Sequence, residues 1–178
     1  MTEAPAAAQT GAAAGAERIF VSYIDKSRDF YRAQGYETPY RWAHFDDTPF
    51  TPLARPLAES RVGLITTTTL IEGDEEPDPE DRPPKAVFAA PMQPPPERMY
   101  TQDLSWDKDA THTDDLDSYL PIRQLDELRD AGRIGSLSPR FYGVPTEYSQ
   151  RRTIERDAPE VLARCREDGV EVALLVPI

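Results

Sequence analysis

"DGVEVALLVPI", residues 168–178, is the stretch that decides the fold. Its apolar run from Val170 to Val176 follows Gly169, a residue that stops helices, and reads as a strand buried on both faces of a parallel sheet. In an open sheet of that kind, ligands and reactive groups gather beyond the carboxyl ends of the strands. Immediately before it, "DAPEVLARCREDG" has Asp157 as N-cap and Glu160 three residues on, a capping-box spacing. The helix that follows is expected to bury Val161, Leu162 and Cys165. Upstream, "SRVGLITTTTL" gives a buried strand over Val62 to Thr67 that ends in a row of threonines. The alternation of strand, helix and strand predicts an α/β fold: a mostly parallel sheet flanked by helices, an incomplete doubly wound domain.

Other segments fit around that frame. In "ERIFVSYIDKSRDFYRAQ", Phe20, Tyr23, Ile24, Phe30 and Tyr31 fall on one side at helical spacing, and Gly35 ends this docking helix. "LDSYLPIRQLDELRDAGRIGSL" predicts a helix with Asp117 or Ser118 near its start and Pro121 in its first turn. Ile122, Leu125 and Leu128 face the core, and Gly132 is the stop. Residues 1–16 read as a disordered, alanine-rich tail. Residues 17–178 form the domain, interrupted by an acidic, proline-rich excursion over about 72–98 that is too polar for a core element except around Ala86 to Ala90.

Composition sets further bounds. The 178 residues suit one domain, large enough to bury roughly 70% of the unfolded chain's surface. A formal charge of -12 and a pI near 4.6 argue against nucleic acid and anionic membranes as partners. The amino terminus lacks a signal-peptide pattern, and no stretch approaches a membrane span. Cys165 is the only cysteine, so no internal disulfide and no thiolate metal site is available, and a cytoplasmic location is expected. On the apolar side of its helix it reads as a core residue.

Few residues offer chemistry. His112 with Asp114 and Asp115 in "THTDDLD" forms the densest group, suited to relaying protons or holding a divalent ion. The same acidic turn is expected there anyway as a favourable charge at a helix start. His44 precedes a second acidic pair in "RWAHFDD". Thr66 and Thr67 lie at a strand's carboxyl end, where they suit ligand binding and strand formation alike. No glycine-rich phosphate loop and no G-x-S-x-G turn is present, so phosphoryl transfer and ordinary serine hydrolysis lack their machinery.

Three blocks carry a resemblance: residues 30–67, "FYRAQGYETPYRWAHFDDTPFTPLARPLAESRVGLITT"; residues 103–137, "DLSWDKDATHTDDLDSYLPIRQLDELRDAGRIGSL"; and residues 170–178, "VEVALLVPI". In sequence and order the chain resembles the selenoprotein B family of glycine, sarcosine, betaine and D-proline reductases over roughly 23–178, apart from the excursion. The resemblance implies an oxidoreductase that cleaves a small amine or amino-acid-like substrate reductively, with a partner reductase subunit and a thiol reductant. It places a selenocysteine, or a cysteine, just after Ile178, with no other cofactor and no metal in this chain. It also assigns His112, Asp114 and Asp115 to the catalytic turn and Thr66, Thr67 and His44 to the substrate pocket. The codon after Ile178 is accordingly expected to be an in-frame UGA, and the chain by itself is expected to be inactive. The alternative from another class is a non-catalytic binding or scaffolding α/β protein that has lost the redox centre.

Overall fold

The structure, a computed structural model, describes residues 23–38, 46–70, 80, 84–101, 112–146 and 149–178. It divides into two compact units, residues 1–46 and 47–178. In the first, α1 (Tyr23–Ala33) ends at Gly35, which takes the left-handed φ of 87°. The expected docking face is not covered within this unit: Phe30 and Tyr31 are half-exposed and make edge-to-face ring contacts, Phe30 with Tyr31 and Tyr31 with Tyr36. Helical spacing shows which residues share a side, not what that side meets. Phe20 lies outside the described residues.

The second unit is built on a five-stranded sheet. β1 (Arg61–Thr66) is its centre. One edge of β1 pairs in parallel with β5 (Ser136–Leu137) and then β6 (Arg140–Gly143), two segments separated at Ser138 and Pro139. The other edge pairs in parallel with β7 (Val172–Val176) over five residues, from Val62 opposite Val172 to Thr66 opposite Val176. β3 (Phe88–Pro91) runs antiparallel to β6 at the far edge, a place where proline is tolerated. A separate ribbon joins β2 (Thr69–Leu70) to β4 (Met99–Tyr100).

Alternation along β1 supplies both faces of the core. Val62 and Leu64 pack with Ile122 and Leu125 of α2 (Ile122–Asp130), together with Met99, Tyr119 and Phe141. Ile65 turns to the opposite face, where it meets Tyr142 and Cys165. Cys165 belongs to the last helix, which runs from α3 (Gln150–Arg152) through a π-helical turn (Thr153–Asp157) into α4 (Ala158–Glu167). One helix therefore covers each face, and the fold is α/β with a mostly parallel sheet. Gly132 and Gly169, at φ 67° and 68°, end α2 and α4 in the left-handed conformation that a helix stop requires.

Several expectations are corrected. Among the described residues β7 is an edge strand rather than one buried on both faces: Leu174 is 39% and Leu175 62% exposed. The apolar run suited it to cover on both sides, but sheet position is set by pairing. Leu128 and Leu162 are exposed, each on the outer flank of a helix that presents a narrower stripe to the sheet. Pro121 precedes α2 instead of occupying its first turn, and Leu116–Ser118 form a separate 3-10 turn. Asp157 makes no capping bond and sits inside a longer helix. The later part of the expected excursion belongs to the core, with Val87, Ala90 and Met92 buried around β3. Residues 71–79 and 81–83 lie outside the described residues.

Candidate functional site at the carboxyl edge of the sheet

β1, β6 and β7 all point their carboxyl ends the same way, so Thr66, Gly143 and Val176 share one edge. Thr66 is fully buried. Its hydroxyl lies 2.9 Å from that of Thr68 and accepts the Thr68 N–H at 3.3 Å. Thr67 points away from that pair. Its Oγ1 accepts the N–H of Ile178 at 3.0 Å and donates to a backbone oxygen of Ile178 at 3.3 Å. A single hydroxyl thus ties the end of β7 to the end of β1.

The acidic turn stands at the same end, because α2 leads from it back to the start of β5. His112 and Asp114 are exposed, with Nδ1 of the histidine 3.5 Å from an Asp114 carboxylate oxygen and accepting the Asp114 N–H at 3.4 Å. Asp114 and Asp115 line a cavity of about 350 Å³ with Glu97, Asp117, Leu120 and Arg123. Arg123 holds Asp117 through two bonds to its carboxylate and keeps that carboxyl below its usual range. The cavity thus joins carboxylates, one guanidinium and an apolar wall.

No direct bond links the threonines to the acidic turn, yet a chain of contacts does. Thr68 Oγ1 reaches the Met99 sulfur at 3.6 Å. The buried Tyr119 hydroxyl donates to the Thr113 carbonyl at 2.9 Å and lies 3.5 Å from the Met99 carbonyl. Burial, opposed by that backbone contact, pushes the Tyr119 phenol up. Thr68 belongs to the threonine row, whereas Met99 and Tyr119 carry no motif in the sequence. His44 lies outside the described residues. Among those residues no three His, Cys, Asp or Glu side chains come together as a metal-ligand group, and no helix is long and apolar enough to cross a membrane.

The opposite, amino-terminal edge is an ion-pair network. Arg140 grips Asp168 at 2.8 and 2.9 Å, and the Tyr142 hydroxyl adds a bond of 2.6 Å to the same carboxylate. Arg55 holds Glu171, which also accepts the Arg61 N–H at 3.0 Å. Cys165 lies buried beside Tyr142, and burial pushes its thiol up, away from the reactive thiolate form. Comparison with known proteins adds nothing to this geometry: no family model, no curated protein and no solved structure matches the chain.

Proposed function

We propose that the chain is a selenoprotein B-like subunit of a glycine, sarcosine, betaine or D-proline reductase-type oxidoreductase, in which a selenolate or thiolate following Ile178 cleaves a small amine or amino-acid-like substrate. The observation that carries this reading is the Thr67 hydroxyl holding both backbone groups of Ile178. It fixes the exit of β7 at the edge where α/β sheets gather reactive groups.

In the proposed step a selenolate or thiolate lone pair bonds to the substrate carbon as the C–N bond breaks. The amine leaves with the C–N bonding pair and takes up a proton. One thiol of a dithiol reductant then attacks the selenium or sulfur, the bond from that atom to the substrate carbon breaks with its pair passing to the carbon, which takes up a proton, and the second thiol displaces the selenolate or thiolate as the dithiol closes to a disulfide. The exposed His112–Asp114 pair is the proton donor within this chain, and the adjoining cavity offers carboxylates for a cationic amine. Cytoplasmic location and a partner reductase subunit belong to the same reading. The alternative, a binding or scaffolding protein, is favoured by the exposed apolar edge of β7.

Coding DNA beyond Ile178 and activity of the extended protein test the proposal. In-frame UGA or a cysteine codon, with dithiol-dependent release of ammonia or amine from glycine, sarcosine or betaine, or ring opening of D-proline, is the expected result. An extended protein with no such turnover and no reactive selenol or thiol overturns it in favour of the scaffold.

A further inference from the structure

The outer edge of β7 carries a short, symmetric set of backbone groups. On one side of β1, the carbonyls of Val62 and Thr66 accept the N–H groups of Ser138 and Val144 at 2.8 and 2.9 Å. Alternation therefore turns Gly63 and Ile65 toward β7 on the other side. With Val62 opposite Val172 and Thr66 opposite Val176, this phase sends the N–H and C=O groups of Val172, Leu174 and Val176 to β1. Those of Ala173 and Leu175 point outward. Ile178 keeps the same phase, since its N–H reaches back to Thr67 Oγ1 at 3.0 Å.

Both ends of that edge are closed. Glu171 spends its N–H on the Arg61 carbonyl at 3.0 Å, and its carboxylate is held by Arg55 and by the Arg61 N–H. Pro177 has no N–H to offer. Among the described residues no strand pairs with this edge, so the open donors and acceptors are those of Ala173 and Leu175, placed evenly about Leu174. Side chains follow the same order. Leu174 shares the α2 face with Leu64, and Leu175 shares the α4 face with Ile65.

We propose that β7 pairs antiparallel with β7 of a second copy of this chain, across a two-fold axis at Leu174. Ala173 of each copy then exchanges both backbone bonds with Leu175 of the other, and every open group is met. Leu174 faces its own counterpart as a non-hydrogen-bonded pair, the closer kind, while Leu175 lies beside the small Ala173. Moving the axis to Ala173 or Leu175 brings Glu171 or Pro177 into the pairing and leaves a carbonyl of each copy without a donor. Charge selects the occupant. At a formal charge of -12 two copies repel over most of their surfaces, but Val172–Val176 is uncharged and Glu171 is already paired. The edge has no charge with which to choose a charged peptide, whereas its own sequence read in reverse satisfies it. One strand pair falls short of the roughly 1,200 Å² of a stable complex, so the dimer is weak and reversible. The inference rests on this edge and not on the redox reading.

Sedimentation equilibrium of the 178-residue chain tests the pairing, and oxidative cross-linking reads its register. A reversible dimer in the micromolar range is expected. Leu174→Cys with oxidised glutathione should give a disulfide-linked dimer at least about tenfold faster than Leu175→Cys, because only position 174 meets itself. Random encounter would favour the more exposed position 175 instead, and the unsubstituted chain, whose Cys165 is buried, sets the background. Ala173→Pro removes an outward N–H without touching the ladder to β1 and should weaken dimerisation by about tenfold or more. Melting curves establish folding, and the cysteine variants keep the test open if the proline variant does not fold. A chain that stays monomeric at high concentration overturns the proposal and leaves the edge to another partner. Cross-linking at least as fast through position 175, or dimerisation unchanged in folded Ala173→Pro, overturns it in favour of a different surface. Dimerisation of this chain without redox turnover in the extended protein would overturn the reductase reading alone; turnover in the extended protein with a monomeric 178-residue chain would overturn only the pairing.

Discussion

Asp168 shows how much one carboxylate can hold. It follows α4, takes two bonds from Arg140 and one from Tyr142, and its side chain is 10% exposed. The Arg140 guanidinium holds its carboxyl below the usual range, ahead of the opposing effect of burial. A depressed folded value means that its contribution is complete above the unfolded carboxyl range, about pH 4. The contribution is lost as the pH falls through the lower folded value. Asp168→Asn should therefore destabilise the protein by about 2 kcal/mol at neutral pH. It should also flatten the acid limb of stability against pH, as urea titrations between neutral and acid pH would show. The acidic turn is the opposite case. His112 and Asp114 are 61% and 88% exposed, so His112→Ala and Asp114→Ala should leave the melting temperature within about 2 °C of the wild type. Activity of the extended protein should fall by roughly 10²-fold or more in each if the pair donates the proton. Activity that merely follows the folded fraction would assign the turn to helix support instead.

At the scale of the element, β7 concentrates the unresolved chemistry of the fold. It pairs β1 along its whole length, but no strand lies along its other edge among the described residues. The sequence of that edge, Val172–Val176, contains no charge, proline or bulge to discourage pairing with another chain. Leu174 and Leu175 alternate to opposite faces, so each face of the sheet ends in an exposed leucine there. Leu175→Lys should reduce concentration-dependent association of the 178-residue chain, read by light scattering. It should change stability by less than about 1 kcal/mol because the side chain is already 62% exposed. Association unchanged by the lysine would place the sticky surface elsewhere.

At the scale of the whole molecule, both hydrophobic clusters found among the described residues lie within residues 47–178. The sheet, its two covering helices and the ion pairs at its amino-terminal edge all belong to that unit. A chain starting at Asp47 should accordingly fold by itself and melt cooperatively, checked by calorimetry and by dispersion of its amide resonances. A broad, non-cooperative melt would show that residues 1–46 are needed to complete the core.

The α/β class was legible from sequence because local features report it directly. Gly132 and Gly169 ended helices where their missing side chains permit a positive φ, and "RVGLIT" and "VALLV" formed the strands their composition favours. Cys165 fell inside, as its place on an apolar stripe required. Sequence could also find the acidic turn and the threonine row, since both are contiguous. Only the tertiary structure decided what those groups touch. Thr66 turned inward to Thr68 while its neighbour Thr67 reached Ile178, 111 residues away. Tyr119 became the bridge between turn and sheet through carbonyls that no motif marks. Asp157 carried the sequence signature of a helix cap, yet the helix began earlier at Gln150 and the carboxylate was buried with one oxygen unmet. Propensity and period act over a few residues, whereas strand order, edge exposure and the satisfaction of a buried polar atom depend on segments that meet only when the chain has folded.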